Sequence, residues 1–232
     1  WSTQYPLGDT GTDRDIAFAR SADAGATWEP AATLNTDAAG DGQQDRYPAA
    51  AKGDGVWIAV WSRDALFLAR SQDNARTWGA PERLFPPLSV DGVVQQADIA
   101  TDGEGRWLVA VAAQLQGESD TDLFALTSSN NGQSWSPVER VAGYMSGADG
   151  HDEAPRVVTG ADGAWLVVWR SNHDLDGNLD TDFDLLASHT PDYGLTWSPP
   201  VAVNADATAP GRPDVRHGRL ATDGAGTWLA AW

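Results

Sequence analysis

The chain has 232 residues, of which 33 are acidic and 15 basic, for a net charge of −18. Nucleic-acid phosphates need a basic surface, so nucleic acid is excluded as a partner and anionic membranes are disfavoured. No apolar stretch approaches the roughly 20 residues of a membrane span, and the lack of cysteine removes disulfides and thiolate chemistry.

Short apolar runs, rich in β-branched and aromatic residues and bounded by Asp-Gly or Gly-rich turns, predict strands throughout. Near the start, strands are expected at 16–20 and 31–34. A hairpin then follows at 47–52 and 54–61 (DGVWIAVW), with further strands at 66–70 and 82–85. The run DGEGRWLVAV from Asp102 leads to strands at 123–127 and 138–141. A second hairpin, 155–159 with DGAWLVVW from Asp162, leads to strands at 183–188 and 201–203. The chain closes on DGAGTWLAAW from Asp223. No long helical period competes with this pattern.

Tryptophan exposes the repeat. Trp28, Trp78, Trp135 and Trp197 close a turn motif. Trp57, Trp107, Trp165 and Trp228 fill a second slot, and Trp1, Trp61, Trp169 and Trp232 a third, where the remaining repeat carries Val111. All twelve tryptophans are thus explained by one unit of about 50 to 63 residues, which suits a four-stranded β-propeller blade. The repeats run approximately 1–61, 61–111, 111–169 and 169–232 within a single domain, 1–232.

The turn motif Ser21-Ala-Asp23-Ala-Gly25-Ala-Thr27-Trp28 resembles the Asp box (BNR repeat) of sialidase-like β-propellers. Three variants follow. Ser71, Asp73, Thr77 and Trp78 keep the pattern with Ala75 for glycine; Ser128, Asn130, Gly132, Ser134 and Trp135 carry asparagine for aspartate; Thr190, Asp192, Gly194, Thr196 and Trp197 carry threonine for serine. The hydroxyl and carboxylate are expected to bond turn backbone, the glycine to accept positive φ, and the indole to pack beneath. The resemblance implies an all-β propeller of antiparallel blades. Sialidases of this kind generally have six, so four repeats imply either a ring closed by pairing amino- and carboxyl-terminal strands or a segment of a longer array.

In such a propeller the Asp boxes lie on one face and ligand-binding loops on the other. The loop ahead of each first strand carries Asp45, Arg46 and Tyr47; Gln95 and Gln96; His151, Asp152 and Glu153; and Asp214, Arg216 and His217. Divergence at equivalent loop positions is what a composite ligand site requires, although surface loops also drift freely. Arg46, Tyr47, His151, Asp152, Glu153, Arg216 and His217 are therefore the candidate ligand-binding residues. The sialidase resemblance implies an arginine clamp on a substrate carboxylate, a tyrosine–glutamate nucleophile pair and an aspartate acid/base. Arg46, Arg156, Arg212, Arg216 and Arg219 could supply the clamp, with Tyr47, Glu153 and Asp152 in the catalytic roles. The Arg-Ile-Pro type of motif is missing, and Arg46-Tyr47-Pro48 is a loose echo.

The segment Asp174-Leu-Asp176-Gly177-Asn178-Leu-Asp180 alternates oxygen donors around glycine, in the manner of calcium loops. A solvated acidic turn capped by its own side chains is the alternative. Shortened forms recur as Thr12-Asp13-Arg14-Asp15, Thr121-Asp122 and Thr181-Asp182-Phe183-Asp184. His151, His173, His189 and His217 lack the spacing of a zinc pair. The expected function is a secreted propeller that binds a glycan or an extracellular protein, with a sialidase-like glycoside hydrolase as the alternative.

Overall fold

The computed structural model describes residues 1–232 apart from 6, 9, 85–93, 116, 142–149, 176–178, 180, 181, 206, 208–213, 216 and 217, and apart from the side chains of Val94 and Gln95. The apolar runs form strands, and no α-helix occurs among the described residues. Strands β1 (Ser2–Thr3), β2 (Asp15–Phe18) and β3 (Ala32–Thr33) make a three-stranded sheet. Three four-stranded sheets follow: β4 (Arg46–Gly53) to β7 (Glu82–Arg83), β8 (Val94–Thr101) to β11 (Glu139–Arg140), and β12 (Asp152–Thr159) to β15 (Val201–Ala202). Their middle strands are β5 (Val56–Ser62) and β6 (Leu66–Ser71), β9 (Trp107–Ala113) and β10 (Asp122–Ser128), and β13 (Trp165–Ser171) and β14 (Asp184–Thr190). Last, β16 (Arg219–Thr222) pairs with β17 (Trp228–Ala231). Every sheet is an antiparallel meander, as in a propeller blade, and the first strands β4, β8, β12 and β16 pack side by side.

The second strands read as continuous apolar runs because both their faces are covered. On β9, Trp107, Val109 and Val111 meet Ile58, Val60, Leu66 and Leu68 of the preceding sheet. Leu108 and Ala110 turn the other way, towards Val157, Trp165, Val167 and Trp169 of the next. The period of two thus places successive residues in different cores. Fourth strands are shorter than expected, two residues each at β3, β7, β11 and β15. They are the outer edges, where little apolar area is available to extend the pairing.

At the start of the third strand, or two residues before it in the second repeat, each repeat carries an acid stapled to a partner 18 to 20 residues later. Asn35 Nδ2 donates to Asp15 Oδ1 at 3.0 Å and Asn204 Nδ2 to Asp184 Oδ1 at 2.6 Å, while each asparagine accepts the next backbone N–H of the strand, from Ile16 or Leu185. Arginine serves the other two repeats, through Arg83 with Asp64 and Arg140 with Asp122. Asp15, Asp122 and Asp184 of the shortened acidic motifs are therefore staples of the fold.

Among the described residues, no strand pairing joins the two chain ends. The sheet β1–β3 and the sheet β16–β17 are separate, with no hydrogen-bonded pairing between them. Trp1 and Trp232 are 55% and 59% exposed, whereas Trp61 and Trp169 in the same repeat slot are fully buried. The buried pair have a neighbouring sheet against their rings.

Candidate functional site

Strand register assembles the site. The residue just before the third tryptophan slot is Val60, Ala110, Val168 or Ala231, and opposite it on the first strands stand Ala49, Asp98, Arg156 and Arg219. Equivalent register positions face the same way, so one slot of the repeat converges towards the centre. With Tyr47 and Gln96, these side chains line a cavity of about 450 Å³.

The strand starts are bulged. The pairing shifts between Arg46 and Ala49 and again between Glu153 and Arg156. Inside these bulges Tyr47 and Ala154 take φ of 54° and 51°, and each precedes a proline, which disfavours the ordinary helical region for the residue ahead. Such backbone strain concentrates at sites that aim side chains. Tyr47, 48% exposed, is carried onto the cavity wall in this way.

Burial pushes the Asp98 carboxyl above its ordinary range, opposed by the Val157 N–H that it accepts at 3.0 Å and by the positive charges of Arg156 and Arg219. Burial likewise lowers the Arg156 guanidinium from its usual value, with Asp98 acting to raise it and Arg219 to lower it. Arg156 Nη1 donates to Pro155 O at 2.6 Å and Arg219 Nη1 to Gly218 O at 3.0 Å. Among the described residues, neither guanidinium lies within ion-pair distance of a carboxylate. In a chain of charge −18, two such arginines facing one cavity form a local concentration of positive charge.

Of the loop candidates, Tyr47 lines this cavity, as do Arg156 and Arg219 from the clamp set. Arg46 opens instead onto an adjoining hollow beside Ser2 and Arg14. Asp152 is buried, where Oδ1 accepts Trp169 Nε1 of its own sheet at 2.9 Å and Oδ2 accepts Leu123 N of the preceding sheet at 3.2 Å. Glu153 pairs with Arg170 at 3.1 Å. His151 Nδ1 accepts Thr121 N at 3.3 Å. Asp174 Oδ1 accepts Leu179 N at 2.9 Å. Arg212, Arg216, His217, Asp176, Asn178 and Asp180 lie outside the described residues.

Asp98 is the member that loop comparison overlooked. Its signal was a lone acid within the apolar strand Ala97-Asp98-Ile99-Ala100, at the register position of Arg156 and Arg219. A composite site built from strand positions is invisible when only loops are aligned.

The Asp boxes occupy the opposite ends of the strands. In the first, Ser21 Oγ donates to Asp23 Oδ1 at 2.7 Å and accepts Gly25 N at 2.9 Å, while Asp23 accepts Thr27 N at 2.9 Å. The same bonds recur around Asp73 and Asp192, and Asn130 Oδ1 accepts Ser134 N at 3.0 Å. Second-slot tryptophans staple two boxes, Trp57 Nε1 to Asn74 Oδ1 at 3.2 Å and Trp107 Nε1 to Asn131 Oδ1 at 3.3 Å. The box indoles are half-buried at Trp78, Trp135 and Trp197, but Trp28 is exposed.

A family model of BNR repeat-like domains matches residues 53–212. No curated protein sequence matches the chain. Among solved structures it is similar to a Hadza microbial sialidase, with 20% identity and TM-score 0.56 over 80% of this chain and 40% of that one. It is also similar to an α-L-arabinanase of Penicillium chrysogenum complexed with arabinobiose, with 16% identity and TM-score 0.57 over 92% and 65%. A protein of unknown function from Dyadobacter fermentans aligns with 15% identity and TM-score 0.62 over 90% and 60%. The chain thus spans less than two thirds of the length of each, and identities this low speak for shared fold alone.

Proposed function

Because this chain belongs to the BNR repeat-like domain family, we propose that it is an exported glycan-recognition module whose central cavity receives an acidic sugar. The observation that carries this reading is the convergence of Asp98, Arg156 and Arg219 from one register slot of three first strands. Guanidinium forks match a carboxylate bidentately. Tyr47 supplies an aromatic edge and a hydroxyl, and Gln96 an amide that can donate and accept towards sugar hydroxyls. Asp98 opposes an anion placed between the arginines, and so favours a ligand that offers it a hydroxyl while its acid group faces the guanidiniums.

Binding to an array of sialylated, uronate-bearing and neutral arabino-oligosaccharides tests the proposal. Acidic glycans are expected to bind, with binding lost in Arg156→Ala and Arg219→Ala. An array with no binding, or binding indifferent to both substitutions, would sink it.

Hydrolysis is the second reading, favoured by the raised pKa of Asp98, suited to an acid, and by Tyr47 on the same cavity wall. Against it, Asp98 is the lone carboxylate lining the cavity among the described residues, whereas most glycoside hydrolases use two. Turnover of a fluorogenic sialoside or arabinoside, abolished in Asp98→Asn while binding persists, would establish an enzyme.

A further inference from the structure

A second cluster lies apart from the central cavity, between the third and fourth strand meanders. Asp120 and Asp122 stand at the start of β10 and His173 just beyond β13, so neighbouring sheets contribute to it. Their ligating atoms all lie within 4.8 Å of one another, and all three residues are buried. The His173 position is fixed from two sides: its backbone N donates to Ser171 Oγ at 3.2 Å, and its ring lies against Gly150, where a Cβ would come within 2.7 Å of the imidazole. Arg140 holds Asp122 and Glu118 together.

Asp120 is the unexplained member. It is 6% exposed, and its Oδ2 is buried with no hydrogen-bond partner. A carboxylate oxygen withdrawn from water without a donor is unfavourable unless a positive ligand meets it. Arg140 is the lone guanidinium paired with Glu118 and Asp122 among the described residues, so two negative charges of the group stay unbalanced.

We propose that Asp120, Asp122 and His173 bind a divalent cation of the zinc or manganese kind, pinning a loop of one blade to a loop of the next. Mixed imidazole and carboxylate donors suit these metals, whereas calcium prefers an all-oxygen shell. Three protein ligands leave a position open on zinc for water. The site stands independently of the glycan reading.

The test titrates the full chain, stripped with EDTA, with ZnCl2 and with MnCl2 by calorimetry, using CaCl2 for comparison. A saturable event is expected, weakened about tenfold or more in Asp120→Asn and in His173→Gln. At about a hundredfold excess over the wild-type Kd, the metal should raise Tm by about 5 °C in the wild type and by about half of that or less in the variants. Cobalt(II) should develop visible ligand-field absorption that is absent from His173→Gln. Asp120→Asn preserves shape, and so decides the matter even if the histidine variant does not fold. No saturable heat with zinc or manganese, or heat and cobalt absorption unchanged in Asp120→Asn, overturns the proposal. Arg156→Ala and Arg219→Ala should bind metal as the wild type does, so a failure here and a failure at the central cavity are distinguishable.

Discussion

Trp61 and Trp232 carry the same side chain in the same repeat slot, and their environments differ completely. Trp61 is enclosed by Ile16 and Leu34 of the first sheet, together with its own sheet, whereas Trp232 is more than half exposed. Trp61→Ala should therefore destabilise by about 3–5 kcal/mol, and Trp232→Ala by less than about 1 kcal/mol, as measured by urea unfolding. The cavity arginines allow a similar contrast. Arg156→Ala should weaken an acidic glycan about tenfold or more, because a lost charge-assisted hydrogen bond is worth about 1.5–3 kcal/mol. Asp98→Asn, which removes an opposing charge, should leave that affinity equal or tighter when checked by calorimetry. Residue types suggested the arginines, but Asp98 became legible only when strand register placed it beside them.

At the scale of the element, the Asp box is a local device, and local devices can be read from sequence. Its bonds join residues two to four apart, so Ser-x-Asp-x-Gly-x-Thr-Trp contains nearly all the information needed to build the turn. Ala75 departs from the pattern while keeping the turn's left-handed backbone, at φ 60°. Ala75→Gly should raise stability by about 1 kcal/mol, or Tm by about 2–4 °C. Hydrogen bonds from Thr27, and then from Ser21, hold the Asp23 carboxyl down to about 2, and Asp73 and Asp192 are lowered for the same kind of reason. Because these pKa values are lower in the fold than in the unfolded chain, their contribution is present above about pH 4. It is lost as pH falls towards 2. Melting curves between pH 7 and pH 2.5 should show that decline, and Asp73→Asn should shallow it, because the amide of Asn130 already performs the same role without titrating. The outer strands were harder to judge: edge pairing depends on neighbours, and only two-residue ladders form there.

At the scale of the whole molecule, the sheets interlock through close contacts that no single repeat contains. A Cβ on Gly194 would lie 2.8 Å from Thr127 Cγ2 and 3.3 Å from Leu108 Cδ1 of the preceding sheet, whereas one on Gly25 would meet nothing within 4 Å. Both positions have positive φ, so alanine strains the backbone at each. Gly194→Ala should lose a further 1–3 kcal/mol, roughly, from overpacking, a difference that chemical denaturation of the two variants can resolve. The repeat and the strand order within each meander were determined by the sequence alone, because each rests on short-range turns and on the period-two alternation of the strands. Burial of one tryptophan and exposure of its repeat-mate, the inward turn of Asp152 to Trp169, the lack of pairing between the terminal sheets and the meeting of Asp98 with Arg156 and Arg219 were decided by tertiary structure. For the cavity the physical reason is distance along the chain: Asp98, Arg156 and Arg219 lie 58 and 63 residues apart, and the lateral packing of first strands brings them together.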